Sequence, residues 1–184
     1  VEEAINNAKN ENLIDIGKNS KKFFTNYNIT SPVEDEFDAD VFEVELKINE
    51  QEKKKKKVIL YGSSTFRLWD DASTDLSLSN LINLGFGGAT LEACRVYFNR
   101  LIVNENPDII ILYAGDNDIG NGSSIRDVVN QFDLFVDQMS ENLPNTKGFF
   151  ISIKPSPFRK NKLSIIKKTN SKIKKIISNN SNWE

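Results

Sequence analysis

The sequence predicts an α/β fold: a doubly wound, flavodoxin-like parallel sheet in three layers, α/β/α. Three observations carry that expectation. Apolar runs at 58–61, 81–84, 109–113 and 148–153 have the length and residue types of strands. None alternates cleanly between apolar and polar residues, as a strand covered on only one face would. Segments with apolar residues at helical spacing lie between them, and such strand–helix alternation favours a parallel sheet. At 184 residues the chain suits one domain with a substantial core.

Residues 1–40 read as an N-terminal extension without an assignable role, and 41–184 as the α/β domain. Ala4, Ile5 and Ala8 hint at a helix, and Ser31-Pro32 breaks the chain. Phe42 to Gln51 reads as a helix leading into the first strand, Val58-Ile59-Leu60-Tyr61. Leu81-Ile82-Asn83-Leu84 is a weaker second strand. Leu91, Cys94, Phe98 and Leu101 then mark a helix from 91 to 101. Ile109 to Tyr113 is the clearest strand. The next helix, 125–143, carries Val128, Phe132, Phe135, Val136 and Met139, and opens on a capping box, Ser124-Ile125-Arg126-Asp127, with Asp in place of Glu. Gly148 to Ile153 is the fourth strand, and Lys162 to Ile177 a helix bearing Ile166, Ile173, Ile176 and Ile177. A fifth strand is expected beside the fourth. Trp183 opens it, and the rest is expected to be missing from these residues, leaving an edge that lowers stability relative to a longer chain.

In open α/β sheets ligands bind beyond the carboxyl ends of the strands, where strand order reverses. Three polar segments fall there. Gly62-Ser63-Ser64-Thr65 follows the first strand, Asn83-Leu84-Gly85-Phe86-Gly87-Gly88 spans the end of the second, and Gly115-Asp116-Asn117-Asp118 follows the third. Together they offer a hydroxyl nucleophile at Ser64, a glycine N–H at Gly88 and a side-chain amide at Asn117. Those are parts of an acyl-transfer site: an attacking group and donors for an oxyanion. Each has a plainer reading. Ser64 would serve as a helix N-cap, the glycines would allow a tight turn, and Asn and Asp suit turns without any function. Joint occurrence at three strand ends weakens those separate explanations. The glycines lack the spacing of a dinucleotide-binding loop.

These segments resemble the SGNH (GDSL-like) hydrolases. Gly62-Ser63-Ser64 stands where that family has Gly-Asp-Ser. It is similar to a bacterial subset with Gly-Ser-Ser followed by Arg-Leu-Trp, here Arg67-Leu68-Trp69. Gly88 matches the glycine of the second block, and Gly115-Asp116-Asn117-Asp118 matches Gly-x-Asn-Asp. Ile153-Lys154-Pro155-Ser156 also looks like that subset. The resemblance spans roughly Phe42 to Trp183. It implies a serine ester hydrolase acting on a small acyl ester or acetylated carbohydrate. Ser64 would be the nucleophile, and the Ser64 N–H, Gly88 N–H and Asn117 amide the oxyanion hole. Since each follows a different adjacent strand, Ser64, Gly88 and Asn117 are expected to converge at the carboxyl edge, with the Asn117 amide pointing toward the Ser64 hydroxyl across a space that fits one small group. The family's fourth block, Asp-x-x-His, supplies the general base, but the chain contains no histidine. The chain is therefore expected to stop short of its catalytic end and to be inactive as it stands. The alternative is a non-catalytic carbohydrate- or acyl-binding module on the same fold. Phosphate binding at Gly85–Gly88 is a weaker third reading, because that loop has no cation.

Composition narrows the classes further. A formal charge of −2 argues against a nucleic-acid binder. The acidic stretch 34–52, the run Lys53–Lys57 and the basic helix from 160 to 175 read as solvated surface; a basic helix can touch an anionic membrane, but this one lacks an aromatic apolar face. Arg67 and Lys154 are cations close to the motifs, each a candidate for touching substrate or for ordinary surface pairing. Cys94 is alone and falls on an apolar stripe, so it reads as a small buried hydrophobe. With no histidine and one cysteine, no metal site is expected, and no cofactor. Asp116 and Asp118 are read as turn-shaping residues. No run has the length of a membrane span. Val1 shows no signal-peptide pattern and the chain does not begin with Met, so a cytoplasmic and an exported protein both stay open. The residues do not set an oligomeric state.

Overall fold

The computed structural model describes residues 36–49 and 57–184. The hinted helix near Ala4, the Ser31-Pro32 break, Gln51 and Lys53–Lys56 lie outside the described residues. In chain order the elements are α1 (Asp38–Asn49), β1 (Val58–Gly62), α2 (Ser64–Arg67), α3 (Ala72–Asp75), β2 (Leu81–Gly85), α4 (Leu91–Val96), α5 (Phe98–Leu101), β3 (Ile109–Tyr113), α6 (Asp116–Gly120), α7 (Ile125–Asn142), β4 (Lys147–Phe150) and α8 (Leu163–Ser178). The sheet order is β2-β1-β3-β4 with every pair parallel, so the structure is the doubly wound α/β sheet that the alternation predicts. The chain steps from β1 to β2 on one side and then crosses back to β3 on the other. The switch point therefore lies between β1 and β3.

The two sheet faces are covered unequally. On one face Ile59, Tyr61, Ile82, Leu84, Ile110 and Leu112 pack into a single core with apolar residues of α1, α4, α5, α7 and α8. Tyr61 and Phe135 meet there with ring centroids 6.2 Å apart, and Phe98 meets Phe135 edge-on at 5.3 Å. On the other face Val58, Leu60, Leu81 and Tyr113 pack against Phe66 and Ala72, carried by the short helices α2 and α3. Because both faces are covered, the strands read as apolar runs and not as alternating ones.

Several boundaries differ from expectation for local reasons. The helix expected over 91–101 is two helices, broken at Tyr97, whose φ/ψ of −88°/0° leaves the α-helical ladder. The apolar stripe reads through this break because both halves face the same core. The fourth strand ends at Phe150, short of Ile153; Ile153 is buried and its backbone is bonded on both sides by the Asn170 side chain of α8. The capping box at Ser124 forms as predicted, with Ser124 Oγ accepting from the Asp127 N–H and the Asp127 carboxylate accepting from the Ser124 N–H. Lys57, read as solvated, is half-buried and pairs with Glu105 at 2.5 Å. Beside β4, Trp183 makes a parallel bridge to Gly148. Gly148 and Phe150 donate their N–H groups to the Asn182 and Glu184 carbonyls, and Glu184 donates to Gly148. Trp183 itself is buried against Phe132 and Phe135. The residues expected to open a fifth strand thus lie in register for one.

Helix α1 starts at Asp38, ahead of the boundary expected at residue 41. It is fastened by charge as well as by Val41 and Val44. Glu45 is buried and takes two bonds from Arg100 of α5, whose Nη2 is 2.8 Å from Oε2. Burial raises the Glu45 pKa although Arg100 opposes the shift. Such a pair holds position more than it adds net stability, but removing one partner would leave the other charge stranded.

Candidate functional site

The loops after β1, β2 and β3 are built as one unit at the carboxyl edge of the sheet. The first begins at Gly62, with φ +131°. Ser63 is buried and donates its N–H to the Tyr113 carbonyl of β3 at 2.9 Å. Ser63, not Ser64, occupies the N-cap position of α2, and no side-chain cap bond forms there. Ser64 is therefore the first residue of the helix and half-buried. Among the described residues its hydroxyl has no hydrogen-bond partner, so the N-cap reading of this serine does not hold. Its own N–H lies in a helix's first turn, where N–H groups lack partners inside the helix.

The second loop leaves β2 at Gly85. Phe86 donates its N–H to the Gly62 carbonyl at 2.9 Å, tying this loop to the first. Gly87 donates to the Asp40 carboxylate of α1 at 2.5 Å. Gly88 is exposed, with φ +69°. Thr90 then caps α4 by accepting from the Ala93 N–H. The third loop opens at Gly115 and runs into α6. Asn117 is half-buried, and its Nδ2 donates to the Ala89 carbonyl of the second loop at 3.0 Å. Ser64, Gly88 and Asn117 thus sit on three interlocked loops, with the Ser64 loop in the middle because β1 lies between β2 and β3. No hydrogen bond joins Asn117 to the Ser64 hydroxyl, and none is expected where the amide is to face the hydroxyl across a space for one small group. One amide N–H is spent on Ala89, and a carboxamide has a second.

Asp118, read from sequence as a turn residue, has a larger role. It is 4% exposed, and both carboxylate oxygens accept from the Leu91 N–H, at 3.1 and 3.2 Å. It thereby fastens the second loop to the third beside the Asn117–Ala89 bond. Burial raises its pKa to about 6; the N–H groups of Leu91, Asp118 and Gly115 pull it down, and the charge of Glu92 adds a further push upward. Because the folded pKa exceeds the unfolded one, the folded state binds more protons through this interval. Stability from this group is full below about pH 3.8, falls as pH rises through about 6, and is absent above that. Asp118→Asn should remove that slope and leave the protein at pH 8 at least as stable as the parent, with a difference of up to about 3 kcal/mol. Urea midpoints from pH 4 to 8 measure it; a variant markedly weaker at pH 8 would show that the ionised form is the one the fold needs.

The flanking cations separate. Arg67 pairs with Asp40 at 3.1 Å and reaches Glu43 at 4.0 Å, so it braces α1. Lys154 is exposed; its Nζ donates to Thr65 Oγ1 at 3.2 Å and lies 5.7 Å from the Tyr113 ring. Arg159 pairs with Asp116 at 3.3 Å, fixing the segment after β4 against the third loop. Sequence reading missed Asp40, Asp118 and Arg159. Their partners lie 27 to 47 residues away, so no local pattern announces them. A cleft of about 450 Å³ lies beside α4 and α7, lined by Glu92, Asp118, Asp127 and Gln131 among others; Ser64, Gly88 and Asn117 are not in its wall. Among the described residues no group of His, Cys, Asp and Glu could hold a metal ion, and no helix is long and apolar enough to cross a membrane.

Fold and loop placement define a doubly wound α/β protein with its polar loops gathered at the switch point. Residues 66–182 match the GDSL-like lipase/acylhydrolase family, and the chain belongs to it. That match begins at Phe66, just past Ser64. A protein of Streptococcus pneumonia named for platelet activating factor shares the fold with a TM-score of 0.66 at 16% identity, over 79% of this chain and 73% of its own. A Bacteroides fragilis protein named as an acylhydrolase gives 0.63 at 20% identity, over 78% and 73%. A GDSL-like lipase of Bacteroides thetaiotaomicron gives 0.57 at 20% identity, over 88% and 72%. At these identities the likeness is one of fold. No curated protein matches the sequence.

Proposed function

We propose that the chain is a serine ester hydrolase in which Ser64 is the nucleophile and the Ser64 N–H, Gly88 N–H and Asn117 amide receive the oxyanion. Family membership supports ester hydrolysis. The observation that carries the residue assignment is the interlocking of three loops at the switch point, the middle one bearing a serine hydroxyl without a hydrogen-bond partner among the described residues. Ser64 Oγ would attack the ester carbonyl and its proton would pass to a base. The C–O bond to the alcohol would break with proton return to the leaving oxygen, and water would then cleave the acyl-enzyme. The substrate is a small acyl ester or acetylated carbohydrate. Fold neighbours include an acetyl xylan esterase, TM-score 0.52 at 15% identity, and an acetyl esterase, 0.55 at 18%, so acetyl esters are the first to test.

These 184 residues contain no histidine and so offer no imidazole base. In the SGNH resemblance it belongs to an Asp-x-x-His block. The 184-residue chain should therefore show negligible turnover of p-nitrophenyl acetate, since general-base help alone is worth about two to four orders of magnitude. A version carrying an Asp-x-x-His segment after Glu184, where the strand opened by Trp183 would continue, should hydrolyse it. In that version Ser64→Ala should cost at least about 10⁴-fold. An Ser64→Ala variant with parental turnover would remove the nucleophile assignment. The second reading is a non-catalytic carbohydrate- or acyl-binding module on these loops. A folded chain with the block that hydrolyses no ester on a broad panel would select it.

A further inference from the structure

Helix α8, LSIIKKTNSKIKKIIS, contains no carboxylate. Its apolar side is accounted for: Ile166 and Ile173 are buried in the main core, and Ile165, Ile176 and Ile177 pack against it. The other side is uniformly cationic. Lys167, Lys168, Lys172, Lys174 and Lys175 are all exposed. At 3.6 residues per turn they span an arc of roughly 160°, with only serines between them. None forms an ion pair among the described residues, whereas Arg67, Arg100 and Arg159 each do. The protein has a formal charge of −2, so this face is a local segregation of charge and not a basic average. The turn that leads into the helix carries Lys160, also exposed, and Phe158. Phe158 is 83% exposed, the highest among the exposed large apolar side chains described. The neighbouring Arg159, whose guanidinium stacks 4.9 Å over the Phe158 ring, pairs with Asp116 and so holds this turn beside the Asn117 loop.

We propose that the lysine face of α8 and Phe158 dock the protein on an anionic phospholipid bilayer. Lysines can meet lipid phosphates while an exposed aromatic side chain enters the headgroup region; because the apolar side of α8 packs in the core, Phe158 of the preceding turn is the group that would insert. Charge alone would suit any polyanion. The exposed phenyl ring, which gains by leaving water, favours a surface with an apolar interior. Docking would place the carboxyl edge of the sheet near the membrane, because Arg159, next to Phe158, pairs with Asp116 of the third loop.

Cosedimentation with phosphatidylcholine vesicles, with and without phosphatidylserine, tests this. The 184-residue chain should bind only the anionic vesicles and should be released at about 1 M salt, where the Debye length is about 3 Å. The triple variant Lys168→Gln, Lys172→Gln, Lys175→Gln should bind about a hundred-fold more weakly, each lysine near an anionic bilayer being worth about five-fold. All three side chains are exposed, so folding should be untouched. Phe158→Ser should weaken vesicle binding but leave retention on heparin unchanged. Ser64→Ala should bind like the parent, which separates docking from the ester chemistry. Equal binding to both vesicle types, or parental binding by the triple variant, would overturn the proposal. A chain that binds heparin or single-stranded DNA but no vesicle would assign the face to a soluble polyanion instead.

Discussion

Gly62→Ala should leave the chain largely unfolded. A Cβ on Gly62 would lie 2.0 Å from the Tyr113 carbonyl oxygen and 2.7 Å from its carbon. Both are backbone atoms of β3, the strand paired with β1 in the middle of the sheet, so no flexible side chain can yield. The same carbonyl accepts the Ser63 N–H, so moving it breaks the bond that ties the first loop to the end of β3. The backbone adds its own penalty. At φ +131° a residue with a Cβ is strained by about 1–3 kcal/mol. Separating two central strands enough to relieve the overlap would cost more, against a total stability of about 5–15 kcal/mol for a domain. Circular dichroism and urea unfolding report the result. A parental urea midpoint would mean that the two strands can part at the Ser64 loop without consequence.

Asn117→Ala, in a version carrying the Asp-x-x-His segment, should lower kcat by about 10²–10³ with little change in KM, as losing one oxyanion donor does. The residue does two things that this experiment must separate. Its amide bonds the Ala89 carbonyl and so positions the loop bearing Gly88, and its second N–H is the proposed donor to the oxyanion. A merely structural residue would lower the melting temperature in proportion to the activity lost. The loop keeps other fastenings, through Asp118 to Leu91, Asp40 to Gly87 and Gly62 to Phe86. Stability should therefore fall by only about 1 kcal/mol, the net worth of one hydrogen bond. A large drop in stability with kcat unchanged in the surviving fraction would reduce Asn117 to a tether.

The sheet was legible because its strands are covered on both faces and so stand out as unbroken apolar runs. Helix α7 was legible for the opposite reason: one stripe is buried and the rest is wet, and the capping box at Ser124 marks its start. The break at Tyr97 left no trace, because both sides of it bury apolar residues at compatible spacing. In the candidate site the strand-end motifs placed Ser64, Gly88 and Asn117 on neighbouring loops. Sequence showed nothing of what locks those loops together. Asp118 reads as a turn residue because its partner is a backbone N–H, which has no sequence signature. The sequence allows a surface pair for Arg67 but does not name its partners, because Asp40 and Glu43 are distant in the chain and reach it only once α1 has docked. Likewise the basic segment after residue 160 reads as ordinary surface until its lysines are seen on one face, with Phe158 exposed in the turn before the helix.

The nucleophile assignment is tested most directly by covalent labelling. A version of the chain carrying the Asp-x-x-His segment, treated with a fluorophosphonate, should gain the mass of one phosphonyl group. Peptide mapping should place it on Ser64, and Ser64→Ala should take up none. An adduct on Ser63 or Thr65, or labelling that survives Ser64→Ala, would contradict the account.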